Sequence, residues 1–322
     1  MHIAIIMPVY EDWDAAIKLC RNIDGVLRGD TSLRASVLLI DDGSSATQCP
    51  KELPFHPELI ERVAVLTLRR NLGHQRAIAV ALAHVREHWE GDAVVVMDAD
   101  GEDRPEDIPI LVNAMTQASP PTVVFAERGR RLEGVMFQFS YRCYSLLHKL
   151  FTGRDIRFGN FSVLPWAHLN GLVVSPELWN HYSATVLKSR IPYLRVRCDR
   201  GRRLAGESRM NFVSLVTHGM SALFANPEVV GTRLLLLTIL TTTVLFLMVG
   251  ITLGAGFFTQ TPMPGWALIA LGLLVVFAGQ FLVGCFMLVF SIMMSRSQLG
   301  FLPIRDYAYF VSHETTLYGR IS

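Results

Sequence analysis

The chain has 322 residues, with 30 Lys and Arg against 28 Asp and Glu, for a net charge of +2. That balance excludes a general polyanion partner, so no nucleic acid is expected. Its 5 cysteines (Cys20, Cys49, Cys143, Cys198 and Cys285) are odd in number, scattered and without a CxxC pair, which excludes a disulfide framework and a cysteine zinc cage. The 51% hydrophobic content averages over unlike parts, because Leu234 to Ser295 contains no Asp, Glu, Lys, Arg or His.

In chain order, His2–Val9 is an apolar run of strand length, followed by a helical pattern over Asp14–Leu27. Ala35–Ile40 reads as the second strand, closed by the turn signal Asp41-Asp42-Gly43-Ser44. Val63–Leu68 is the third strand and Gly73–His88 the next helix. Ala93–Met97 is a Val-rich fourth strand whose unbroken apolarity implies burial on both faces. A helix over Pro105–Gln117 carries Pro in its first turn, and Thr122–Ala126 is the fifth strand. Alternating strands and helices predict an α/β domain, Rossmann-like, with a mostly parallel sheet covered on both faces. Ligands bind such sheets at the carboxyl ends of the strands. Those ends here carry Tyr10, Asp41, Asp42, Asn71, Asp98 and Asp100.

Two later stretches, about 134–152 and 208–225, have aromatic and aliphatic residues at helical spacing. They suit either core helices or helices lying in a membrane interface. The uncharged run that follows is long enough for two spans of about 20 residues and a turn. The expected spans lie within 227–295, with Pro262 and Pro264 in the turn over Thr259–Gly265. Arg233 stands at the start of the hairpin, and Arg296 and Arg305 follow its end. The positive-inside bias puts residues 1–226 and the tail 296–322 in the cytoplasm, with the chain multi-pass in the cell (inner) membrane. Met1–Tyr10 lacks the length and basic start of a signal peptide, in keeping with a cytosolic domain.

The chemistry centres on Asp98-Ala99-Asp100, followed by Glu102 and Asp103. On extended chain, carboxylates two positions apart share a side. Converging carboxylates hold a hard divalent cation, and such cations also hold substrate phosphates. Around this motif stand Pro8-Val9-Tyr10-Glu11, Asp41-Asp42-Gly43-Ser44, Asn71-Leu72-Gly73 and Glu127-Arg128-Gly129-Arg130-Arg131. Further on come Phe158-Gly159-Asn160-Phe161-Ser162 and the Arg-rich Asp199–Arg209, which contains Gly206-Glu207-Ser208-Arg209. In order and spacing this set resembles the family 2 inverting glycosyltransferases over about residues 1–225. Within that family the similarity is to polyprenyl-phosphate sugar transferases of the dolichyl-phosphate mannose synthase and bactoprenol glucosyltransferase type.

The resemblance implies transfer of a hexose from a UDP- or GDP-sugar to a polyprenyl phosphate, with Mg²⁺ or Mn²⁺ as cofactor. The alternative acceptor is a hydroxyl on a glycolipid or polysaccharide precursor, and a non-catalytic membrane scaffold is the reading from another class. A homo-oligomer is compatible with either. By resemblance, Pro8, Tyr10, Glu11 and Asp42 hold the nucleotide, and Asp98, Asp100 and Glu102 bind the cation. Arg128 and Arg131 contact phosphate. Arg203, Ser208 and Arg209 meet donor or lipid phosphate. Asp98, Asp100, Asn160 and Arg203 form the catalytic set. The chain departs from the family pattern at Glu11-Asp12, at His74, at Arg209 in place of Lys, and at Asn160 in place of Asp. A lipid phosphate, with a second pKa of about 6, needs no general base, so the loss of a carboxylate at position 160 suits a phosphate acceptor.

Overall fold

The computed structural model describes residues 1–29, 32–45, 49–128, 159–204, 227–259, 265–297 and 300–319. The expected interfacial segments at about 134–152 and 208–225, and Arg131, Ser208 and Arg209, lie outside the described residues. The chain divides into two compact units, one built on a sheet and one on a pair of long helices.

The strands are β1 (His2–Val9), β2 (Arg34–Asp41), β3 (Ile60–Leu68), β4 (Ala93–Val96), β5 (Val123–Arg128), β6 (Ser162–Pro165), β7 (Tyr193–Cys198) and β8 (Val311–Gly319). They form an 8-stranded sheet in the order β7-β5-β6-β4-β1-β2-β3-β8. Strand β1 pairs in parallel with β2 on one side and β4 on the other, and β2 runs parallel to β3. The antiparallel β6 separates β4 from β5, and β7 runs parallel to β5. The sheet is therefore mixed but mostly parallel, as the strand–helix alternation predicts. Chain direction diverges at β1 and β4, where such folds open a crevice at the carboxyl edge.

Alternation along each strand feeds a core on each face. Ile3, Ile5, Met7 and Val9 of β1 face α1 (Trp13–Leu27) and α3 (Asp107–Gln117). Ala4 and Ile6 face the other way, toward α2 (His74–His88), α4 (Trp166–Val173) and α5 (Tyr182–Lys188). Helix α2 is Ala-rich and buried from Ala77 to Val85, and its small side chains permit close approach to the sheet. Cys20, Cys49, Cys198 and Cys285 are free thiols, and burial pushes Cys20 and Cys198 up to about 12.

The second unit contains α6 (Pro227–Thr259) and α7 (Gly265–Ser297), packed against each other. Within them, Glu228–Phe258 and Gly265–Ile292 each reach a mean hydropathy of 2.5, with at most 6% of that stretch buried. A helix apolar all round needs lipid or a protein core to cover it. Both are long enough to cross a bilayer of about 30 Å.

The segment after the hairpin is the main surprise. The sequence reading gives 296–322 no element, yet β8 pairs antiparallel with β3 from Val311 opposite Leu68 to Gly319 opposite Arg62. This tail also grips α2. Phe301 and Phe310 stack on Trp179, with centroids at 3.9 and 5.0 Å, and the Arg76 guanidinium lies 5.3 Å from the same ring. Farther along α2, Tyr307 Oη is 3.0 Å from His88 Nε2, while Glu314 takes Arg62 at 2.5 Å and His84 at 3.0 Å.

Leu317 enters the core at 9% exposure, so Leu317→Ala should cost about 2–3 kcal/mol, read as a lowered thermal midpoint of the full chain in detergent. The hydrogen bond from His84 holds the Glu314 carboxyl below its ordinary value, against burial and with help from Arg62. A depressed folded value stabilises above the ordinary carboxylate value and is lost as pH falls through the depressed one. Urea melts should therefore show Glu314→Gln flattening the loss of stability below about pH 4.

Candidate active site

Because β1, β2 and β4 run parallel, their carboxyl ends deliver acidic residues to one edge. Asp12 follows β1, Asp41 ends β2 with Asp42 next, and Asp98 to Asp103 follow β4. Strand β4 stops at Val96, and Ala99 and Asp100 lie in a turn. The Asp98–Asp100 pair is therefore gathered by a turn, rather than by the extended chain the sequence reading assumed. Gly101 permits that turn with φ +86°, a conformation that side-chain-bearing residues rarely adopt.

Main-chain groups take up part of this acidity. Asp42 accepts from Leu72 N–H at 2.6 Å and Gly73 N–H at 2.9 Å, tying down the turn before α2. Asp41 accepts from Ser44 N–H, and Asp103 accepts from Asp98 N–H at 2.9 Å. Glu11, with φ +57°, accepts from Ser45 N–H and Oγ–H, bridging the loops after β1 and β2. Burial raises the pKa of Asp42, and the Leu72 and Gly73 N–H groups oppose the rise.

His74, the first residue of α2, reaches the Asp98–Asp100 turn. Its Nε2 lies 3.2 Å from Asp98 Oδ1 and 3.0 Å from Asn160 Nδ2. Burial works against charge on this ring, yet Asp98, Asp103 and Asp42 together raise its pKa. Asn160 is buried at 7% exposure, and its Oδ1 accepts from Gln75 Nε2–H and Ser183 Oγ–H, each at 3.2 Å. Gln75 is itself oriented, since its Oε1 accepts from Tyr182 N–H at 2.9 Å. Asn160 thus presents an amide, which takes no proton from a substrate at neutral pH.

The segment 199–204 lies across the acidic turn. Gly201 N–H donates to Glu102 O and Leu204 N–H to Asp100 O, both at 2.9 Å. A Cβ on Gly201 would stand 2.4 Å from Gly101 O, so only glycine allows this approach. Arg203 pairs with Asp12 at 3.2 Å and Asp100 at 3.8 Å, and Arg200 pairs closely with Glu102. Burial, and then the neighbouring Asp98 charge, raise the pKa of Asp100.

The edge thus brings together Asp98, Asp100, Glu102, Asn160 and Arg203 of the expected set. Glu11 and Asp42 shape loops here, Tyr10 is exposed at 47%, and Pro8 is buried within β1. Arg128 ends β5 opposite Cys198 of β7. Sequence reasoning assigned no role to Asp12, His74, Gln75, Asp103 or Arg200. His74 and Asp12 did stand out as departures from the family pattern, whereas nothing marks Gln75 beyond its place in the first turn of a helix. Among the described residues, no three His, Cys, Asp or Glu side chains converge as a ready-made metal cage.

The profile of Glycosyl transferase family 2 matches residues 4–164, half of the chain, and the chain belongs to that family. An undecaprenyl-phosphate 4-deoxy-4-formamido-L-arabinose transferase from Salmonella choleraesuis (strain SC-B67) is 28% identical over 152 residues, covering 47% of this chain and 44% of the relative. A protein of the same description from Edwardsiella ictaluri is 31% identical over 117 residues, covering 36% of this chain and 34% of the relative. The matched region thus spans less than half the length of these curated relatives. Among solved structures, the Mycobacterium tuberculosis glucosyl-3-phosphoglycerate synthase in complex with Mn²⁺, UDP-glucose and phosphoglyceric acid has a TM-score of 0.48 at 13% identity, covering 71% of this chain and 80% of that one.

Asp42→Ala would leave two backbone N–H groups without their acceptor and loosen the start of α2. The expected cost is about 1–3 kcal/mol per lost buried bond, measured by denaturant unfolding.

Proposed function

We propose that this chain transfers a hexose from a nucleotide sugar, UDP- or GDP-linked, to a polyprenyl phosphate at the cytoplasmic face of a membrane, with inversion at the anomeric carbon. The observation that carries this reading is the meeting of Asp100 with Arg203, beside Asp98 on His74, at the carboxyl edge of the sheet in a family 2 chain that also bears a long apolar hairpin. The printed descriptions of the relatives name undecaprenyl phosphate, which supports a lipid phosphate as acceptor.

Asp98 and Asp100 fit a divalent cation, Mg²⁺ or Mn²⁺. They are hard oxygen donors beside one another, and such ions commonly take one or two carboxylates and complete their shell with phosphate oxygens and water. Glu102, expected as a further ligand, has its carboxylate on Arg200. When bound, the cation would neutralise charge on the diphosphate leaving group. The chain's own residues orient the partners. Arg203 presents a guanidinium suited to phosphate oxygens, and His74 holds Asp98. An oxygen of the lipid phosphate attacks the anomeric carbon, the bond from that carbon to the diphosphate oxygen breaks, and its electron pair leaves with the nucleoside diphosphate. The phosphate arrives already ionised, so the buried Asn160 amide is no handicap.

The chain leaves the sheet before α6 and returns to it as β8. Both ends of the hairpin therefore belong on one side of a bilayer. Arg233, Arg296 and Arg305 favour the cytoplasmic side, where nucleotide sugars are made.

Incubating the purified protein with undecaprenyl phosphate and a panel of UDP- and GDP-sugars should yield a glycosylated lipid phosphate by mass spectrometry. EDTA should abolish this transfer, and Mg²⁺ or Mn²⁺ restore it; full turnover in EDTA would remove the metal from the reading. Asn160→Asp separates the acceptor classes. With a phosphate acceptor the rate should change less than about tenfold, whereas a hydroxyl acceptor should gain about 10²-fold or more from a restored base. For topology, a cysteine placed at Thr261 should react with an impermeant thiol reagent in intact cells and one at Ser312 should not.

A further inference from the structure

We propose that Arg203 and Arg200 compete with the divalent cation for these carboxylates, and pass to the substrate's phosphates when cation and diphosphate enter together. This inference rests on the metal-dependent reading above and concerns how that same site is regulated.

Clustered carboxylates have an electrostatic problem. Asp98 and Asp100 raise each other's energy when both are charged, and Asp12 and Glu102 add to the field. The fold supplies a local answer in the segment 199–204. Two backbone hydrogen bonds dock this segment onto the acidic turn, Gly201 N–H to Glu102 O and Leu204 N–H to Asp100 O. Its arginines then lie on the carboxylates, Arg203 on Asp12 and Asp100, Arg200 on Glu102. Close contact of Gly201 with Gly101 O fixes the spacing.

The pairing of Arg203 is serviceable but incomplete. One terminal nitrogen reaches both Asp12 Oδ2 and Asp100 Oδ2, and the buried Nε has no hydrogen-bond partner among the described residues. A guanidinium carries five donors in a planar fork, which matches a phosphate face better than it matches these offset carboxylates. A diphosphate would give Arg203 the partners it lacks. A cation would then neutralise Asp100 in its place, together with Asp98, which His74 faces. Neither exchange is favourable alone. The cation without diphosphate competes with arginines that have nowhere to go, and the diphosphate without cation meets uncompensated carboxylates. Cation and nucleotide therefore bind cooperatively, and the coupling runs through Arg203. Reciprocity requires each ligand to tighten the other by the same factor.

The test is Mn²⁺ binding to the full-length protein in detergent, read from the electron paramagnetic resonance signal of free Mn²⁺, alone and with UDP or GDP. In Arg203→Gln, Mn²⁺ alone should bind about 5-fold or more tightly than in the parent, while the enhancement by nucleotide should shrink toward none. Arg104→Gln removes an equal charge nearby, but Arg104 pairs with Glu106 at 3.5 Å and Asp199 at 3.9 Å, and it should leave both quantities unchanged. Equal effects from the two variants would reduce the result to a general field, and no effect from Arg203→Gln would remove the exchange; either outcome overturns the proposal. Should Arg203→Gln fail to fold by thermal melting, Arg200→Gln frees Glu102 and must likewise tighten Mn²⁺ alone, or the proposal falls. A parent protein that binds no Mn²⁺ even with UDP and GDP would overturn the metal-dependent reading itself, a result distinct from binding that ignores the arginines.

Discussion

Like charges gathered at one edge are the constraint on which this structure depends. Parallel strands cannot avoid it, because β1, β2 and β4 end together and each ends in or beside an aspartate. Carboxylates so placed must each find a donor or a cation. Asp42 and Asp41 find main-chain N–H groups, Asp103 finds the N–H of Asp98, and Asp98 finds His74. Asp100 and Glu102 find arginines from a segment about 100 residues later in the chain, and Asp12 finds one 191 positions on. What distinguishes the functional carboxylates is the kind of partner. Asp41, Asp42 and Asp103 are tied to backbone and shape loops, Asp98, Asp12 and Glu102 face His74 or an arginine, and Asp100 takes both the Glu102 N–H and Arg203.

Much of this was legible in the sequence, for physical reasons that particular elements make plain. The middles of β1 to β4 are buried and read as apolar runs, so their positions follow from composition alone. The later strands fail that test. β6 has 4 residues, too few to show any period. In β7, exposed Arg195 and a polar alternation read as part of a basic cluster. β8 holds Ser, His, Glu and Thr on a sheet edge, where one face meets solvent. Its pairing with β3 joins residues 252 positions apart, a separation that no local pattern encodes. The same limit applies to the site. Residue types and order located Asp98, Asp100 and Arg203, but which carboxylates the main chain would use is decided by how turns fold.

Helix α2 connects these themes. Its first residues, His74 and Gln75, orient Asp98 and Asn160. Arg76 lies on Trp179, and His84 and His88 meet the tail. The segment after the hairpin therefore touches the helix that sets the site, along much of the helix's length. The tail and the acidic edge are thus joined by a helix buried from Ala77 to Val85 rather than by a loop.

The closing of the sheet by β8 also fixes an order of events during synthesis. Strand β3 leaves the ribosome early, while its partner lies 252 positions on. At about 5–20 residues per second, the gap is on the order of 10–50 s. Through that interval β3 presents an unpaired edge, the feature that recruits strands from other molecules. The apolar hairpin is made within the same interval, before the nascent sheet is sealed.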